Sequence, residues 1–233
     1  MNIHTITGEL AKMERAVFTL IDIARVGNIS KKSAAVYTHR ILKKKLLFRV
    51  EKNKVSTTKD PFIAVSQIIF PAYLSLTTAL YLHAMVQQVI DKIYVITTRQ
   101  KKSKEIFGIK TYFIKVSPRL MFGYTKIRKE NSFIMLADLE KTILDCLYFQ
   151  KYCSLQYLCE ALKKADIEKL ESYAKRFKKE SVTRRLGYLL DLLEIKHNFK
   201  RKTDTTHKLN PLKQNKGKFN KKWHLYINEE IKC

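Results

Sequence analysis

Apolar residues first recur at helical spacing between Glu9 and Val17, where Leu10, Met13 and Val17 fall on one side, which predicts a first amphipathic helix. Thr19 can cap a short second helix that carries Leu20, Ile23 and Ala24 and stops at Gly27 and Asn28. Ser30 caps a third, running from Lys31 to Lys45. Leu46-Leu47-Phe48-Arg49-Val50 and Val55-Ser56-Thr57-Thr58 then read as two strands joined across Glu51-Lys52-Asn53-Lys54. Three helices and a hairpin in residues 1–60 predict a winged helix-turn-helix.

The pattern changes at Pro61. Ile63–Phe70 and Ser75–Met85 read as helices, and Ile93–Thr97, Thr111–Val116 and Phe133–Leu136 as short strands, with Gly108 and Gly123 marking turns. Asp138 caps a helix through Leu139, Ile143 and Leu147; further helices fit Ser154–Lys163, Asp166–Lys178 and Ser181–Leu193. Beyond Asn198 the chain is polar and lysine-rich until Trp223-His224-Leu225-Tyr226-Ile227, which reads as a last strand reached over a long basic loop. The expected class is α+β. A winged helix-turn-helix over residues 1–60 precedes a mixed α/β domain with a helical C-terminal half over 61–198, and residues 199–233 form a basic loop and terminal strand.

Composition agrees with a folded chain and adds a partner. Hydrophobic residues at 45% and aromatics at 11% are too abundant for a disordered sequence. Lys and Arg number 46 against 21 Asp and Glu, a net charge of +25 that points to a polyanion. No single tail accounts for it: residues 1–60 hold 13 basic and 5 acidic side chains, and residues 200–233 hold 10 and 3. A lysine-rich proteome is the bland alternative, since Lys (35) far exceeds Arg (11).

On the third helix, Ala34, Thr38, Ile41 and Leu42 suit a small core, which turns Ser33, Tyr37, Arg40 and Lys44 outward as one row beside Lys31, Lys32 and Lys43. Such a helix fits the major groove of duplex DNA: lysines neutralise phosphates, and Arg40 suits the edge of a guanine. Arg49, Lys52 and Lys54 put charge on the wing, beside the neighbouring backbone. A solvated basic helix in a protein-binding module is the competing reading. His4 and His39 read as satisfied or exposed side chains.

Little supports catalysis. With only 6 Gly the chain lacks the glycine-rich loops that cradle phosphates or oxyanions, so an enzyme and a bound cofactor are not expected. Cys146, Cys153, Cys159 and Cys233 show no C-x-x-C and no neighbouring paired histidines, so no metal is expected and a reducing, cytoplasmic setting is the default. Residues 61–90 carry no charge, but Pro71, Ser66, Gln67, Ser75, Gln87 and Gln88 break them into short apolar pieces, so a buried helical pair is expected and a membrane span is not. Stacked aromatics on a sheet, as an RNA binder would need, are not visible at useful spacing.

Three segments resemble a known family. Tyr73-Leu74-Ser75-Leu76-Thr77-Thr78-Ala79-Leu80-Tyr81-Leu82-His83, Asp138-Leu139-Glu140-Lys141-Thr142-Ile143-Leu144-Asp145-Cys146-Leu147 and Arg184-Arg185-Leu186-Gly187-Tyr188-Leu189-Leu190 are similar, in that order, to the signatures of the AbiEi antitoxins of type IV toxin–antitoxin, or abortive-infection, pairs. The resemblance covers residues 10 to 195, and the segment after 198 has no counterpart in it. It implies an amino-terminal domain that binds double-stranded DNA at its own promoter and represses it, and a carboxy-terminal domain that neutralises a nucleotidyltransferase-like toxin. A two-fold operator would call for a dimer on DNA.

Taken by themselves, the motif residues read as structural. His83 suits a hydrogen bond at the edge of the core, and Lys141 with Asp145 suits an i,i+4 pair. Arg184 and Arg185 would extend a basic face. The expected function is a sequence-specific DNA-binding autorepressor and antitoxin; the alternatives are a stand-alone winged-helix regulator and an interaction module without operator binding.

Overall fold

The computed structural model describes residues 2–87, 90–214 and 216–231, so Cys233 and Gln88 lie outside the described residues. It is a mixed α+β fold, with nine α-helices and twelve strands among the described residues. The chain divides into two compact units, one of residues 1–74, 91–116 and 125–136, the other of residues 75–90, 117–124 and 137–233.

The first unit begins with α1 (Ile3–Lys12), β1 (Val17–Thr19), α2 (Leu20–Gly27), α3 (Lys31–Lys43), β2 (Phe48–Glu51) and β3 (Lys54–Ser56). The first helix lies earlier than the apolar spacing predicts. Asn2 caps it by accepting from Thr5 N–H at 2.9 Å, and Ile6 and Leu10, one turn apart, are its buried residues. Val17 instead opens β1, which pairs antiparallel with β3 in a three-stranded sheet ordered β1-β3-β2. A 3.6-residue repeat that runs across a helix end and into a strand misled the spacing argument.

The next two helices start where the sequence places them. Thr19 and Asp22 form a reciprocal capping box at α2, and Ser30 Oγ accepts from Ser33 N–H at 3.1 Å at α3. Asn28, in the left-handed conformation at φ 48°, ends α2 and makes the turn into α3. Ile6, Leu10, Phe18, Ile23, Ala34, Ile41, Leu47 and Val55 close a core among these elements.

The same unit holds α4 (Pro61–Gln67), β4 (Ala72–Leu74), β5 (Lys92–Thr97), β6 (Lys104–Ile106), β7 (Ile109–Lys115), β8 (Tyr124–Lys129) and β9 (Ser132–Ala137). The strands form a six-stranded mixed sheet ordered β6-β7-β5-β4-β9-β8, with β5 parallel to β7 and antiparallel to β4. Gln67 ties the two sheets together: its side chain accepts from Ala16 N–H at 2.7 Å and donates to the Phe133 carbonyl at 2.7 Å.

The second unit contains α5 (Leu76–Leu82), α6 (Leu139–Tyr148), α7 (Leu158–Lys164), α8 (Ile167–Phe177), α9 (Glu180–Leu192), and the short strands β10 (His207–Lys208), β11 (Lys218–Asn220) and β12 (Leu225–Ile227). Residues 199–222, expected as a loop, are held at many points. The Arg184 guanidinium donates to the Thr203 and Thr205 carbonyls, and Glu180 accepts from Lys202 N–H at 2.8 Å. Trp223, 1% exposed, lies over Gly187 and donates its indole N–H to Asp191 at 2.6 Å. A Cβ at Gly187 would overlap that indole ring, so close approach explains this glycine. Among the described residues no helix is long and apolar enough to cross a membrane.

Candidate nucleic-acid interface

The third helix presents its exposed side one residue away from the expected row. Ala34, Thr38 and Ile41 are buried, while Leu42 is only half-buried, which shifts the centre of the inward face. At roughly 100° per residue the opposite stripe is then Lys32, Val36, His39 and Lys43, all four exposed. Ser33 and Tyr37 sit at the shoulder, half-buried; Tyr37 packs against the core and Ser33 Oγ lies 2.9 Å from Ser30 Oγ. Arg40 and Lys44 remain exposed on that flank, and Lys31 is exposed at the helix start.

Val36 and His39 are the residues the sequence argument missed. Val36 is 48% exposed at the centre of a cationic stripe, where it adds nothing to the core. The signal available was the Ala34, Thr38, Ile41 repeat, which sets the inward direction without Leu42. Lys31, Lys32, Arg40, Lys43 and Lys44 make no ion pair among the described residues, so their charge is available to an external anion.

The hairpin divides. Arg49 and Lys52 are exposed, with Asn53 in the left-handed conformation (φ 61°) turning the strand between Lys52 and Lys54. Lys54 is engaged elsewhere: it donates to the Ile68 carbonyl at 2.6 Å and pairs with Glu51 at 2.8 Å. Glu51 also receives Lys101 at 2.6 Å; burial opposes its charged form, yet the two lysines hold its carboxyl below the usual range. Lys54 is therefore a brace of the hairpin rather than a free cation on it.

Between the end of α3 and β2 lies an open groove of about 560 Å³, lined by His39, Lys43, Lys45, Arg49 and Lys59, with Phe48 and Phe107. Its lining contains no carboxylate. Lys59 sits over the Phe48 ring at 4.9 Å. The stripe and the groove together make a face that can neutralise phosphates on both sides of an apolar contact.

Other polar clusters are internal. In the second unit Ser75 Oγ donates to Asp145 Oδ2 at 2.8 Å and Lys141 bonds the other carboxylate oxygen, but exposures of 0%, 1% and 0% for Ser75, Asp145 and Lys141 leave no path for a substrate. Burial pushes the Lys141 amine down, and Asp145 pulls it back. This pair lies in the core rather than on a helix surface. His83 Nε2 lies 2.8 Å from the Ala137 carbonyl, at the edge of that core. Arg184 and Arg185, expected to extend a basic face, are 0% and 6% exposed and spend their N–H groups on carbonyls. Burial brings Arg185 down to about 10. Among the described residues no group of three His, Cys, Asp or Glu side chains is arranged to hold a metal.

No family model and no curated protein matches the chain. Among solved structures it is similar to the Rv2827c protein from Mycobacterium tuberculosis, with a TM-score of 0.59 at 11% identity, over 95% of this chain and 89% of that one. That likeness is one of fold.

Proposed function

We propose that residues 1–60 act as a winged helix-turn-helix that binds duplex DNA at the chain's own promoter. In this reading α2 and α3 are the helix-turn-helix and β2–β3 the wing. The observation that carries it is the outward stripe of α3, where Lys32, Val36, His39 and Lys43, with Arg40 beside them, combine unpaired cations with one apolar contact. The lysines suit phosphates, Arg40 suits the O6 and N7 of a guanine, and Val36 suits a thymine methyl group. Arg49 and Lys52 follow the adjacent backbone, and Lys54 supports them from behind.

The resemblance to AbiEi antitoxins extends the proposal: the chain represses its own operon and neutralises a nucleotidyltransferase-like toxin. Footprinting on the DNA upstream of the gene tests the first part. Protection of one discrete site is expected, with affinity that falls steeply as salt rises; equal binding to unrelated duplexes, with no protected site, would sink it. Growth rescue on co-expression with the neighbouring reading frame's product tests the second, and failure to restore growth counts against it.

A further inference from the structure

The C-terminal sheet has two unlike faces. Its order is β10-β12-β11, with β11 antiparallel and β10 parallel to β12. Leu225 on β12 and Leu209, just past β10, are both 0% exposed and point into the unit. The other face carries the opposite set of positions, and there the register pairs Lys208 with Tyr226 and Tyr226 with Phe219. Phe219 is 41% exposed. Its ring lies 5.2 Å from Tyr226 and 5.5 Å from His224, so three rings form one contiguous patch. Phe219 is the one apolar residue of a strand otherwise made of Lys218 and Asn220, and much of it stays open to solvent.

Exposed lysines flank the patch. Lys216 and Lys221 are exposed and make no ion pair among the described residues, whereas Lys218, which pairs with Ile227, lies on the opposite face of the strand from Phe219. Two nearby carboxylates are already engaged: Asp204 by Arg201, with the His224 ring 3.9 Å from it, and Glu229 by Lys213 at 2.9 Å and Asn210 at 2.8 Å. Partly exposed rings grouped on a sheet beside exposed amines suit unpaired bases joined by phosphates: a base stacks on a ring while lysines follow the backbone. A duplex, whose bases stack on each other, cannot use the rings.

We propose that Phe219, Tyr226 and His224 form a stacking platform for single-stranded nucleic acid, with Lys221 on its phosphates. The site shares no residue with α3, and its reading is independent of the duplex reading. It makes the basic segment after residue 198 a second nucleic-acid contact.

The test is fluorescence anisotropy of the full chain with labelled uridine and thymidine oligomers of about ten nucleotides, the span of an ordinary single-strand site. Phe219→Leu keeps apolar bulk but removes the ring. It is expected to weaken single-strand binding about tenfold, within the range that loss of one stacked base produces, while Phe219→Trp retains it. Emission from buried Trp223 reports whether each variant keeps the C-terminal sheet in place. Tighter binding of the uridine oligomer assigns RNA, and equal or tighter binding of the thymidine oligomer assigns DNA; both uphold the platform. Absence of single-strand binding, or binding that Phe219→Leu and Tyr226→Leu leave unchanged, overturns it. Duplex binding is expected to be the same in wild type and Phe219→Leu, so failure here leaves the α3 reading standing.

Discussion

Arg40 and Arg184 both lie on helices of thirteen residues, and in the sequence both count equally toward the net charge of +25. Their surroundings differ completely. Arg40 stands exposed on α3 beside four other unpaired cations, whereas Arg184 is 0% exposed on α9 and its guanidinium is consumed by the Thr203 and Thr205 carbonyls and Glu180. One arginine is exposed and in no ion pair among the described residues; the other pins the chain after Asn198 to its own helix. A basic composition therefore overstates the charge available to a polyanion, and only the environment of each side chain tells which cations remain free.

The contrast is broken most severely at Arg184. Arg184→Met should cost about 3 kcal/mol, because it removes the charged hydrogen bonds that tie Thr203, Thr205 and the Glu180 carboxylate to α9. Urea unfolding followed by Trp223 emission checks this, and a loss below about 0.5 kcal/mol, ordinary for a surface substitution, would return Arg184 to the surface class. Arg40→Ala should do the opposite: unfolding stays as in wild type, while discrimination between the upstream site and a shuffled duplex falls by about 1–3 kcal/mol. Competition titrations at one fixed salt concentration measure it.

A finer version lies within the hairpin. Lys52→Ala should weaken all duplexes alike by somewhat under 1 kcal/mol and lower the salt slope by about one unit. Lys54→Ala should leave that slope unchanged and appear instead as a small loss of stability, since the side chain already serves Ile68 and Glu51. Salt titrations of both variants separate the two roles.

The smallest effect concerns acid. Burial opposes ionisation of Asp191, but Lys222, the Trp223 indole and His197 hold its carboxyl below its ordinary value of 3.8. A carboxyl depressed in the folded state adds stability above its unfolded pKa and loses it as pH falls through the folded one. Trp223 emission should hold steady above about pH 4 and shift only below it. In Asp191→Asn that acid-dependent component should be absent.

Much of the fold was legible because its signals are local. Thr19, Ser30 and Asp138 cap helices within a few residues of themselves, and the strands β5, β7 and β9 carry their own apolar pattern. Strands β6 and β8 escaped because their exposed residues leave little pattern to read, and β4 because three buried residues give no alternation. The candidate interface was legible in its elements and wrong by one residue in its facing, because Leu42 is apolar without being central to the core. The aromatic patch was hidden, since Phe219 meets Tyr226 only through strand pairing and the lysines around Phe219 give its segment the look of a loop.

The central claim is that the stripe centred on Val36 faces base edges of duplex DNA. A photocrosslinking amino acid placed at Val36, irradiated in complex with the native upstream duplex, tests it most directly. The account predicts a crosslink to a base at one discrete position of the protected site. A crosslink scattered along unrelated DNA, or none from a complex that still forms, would contradict it.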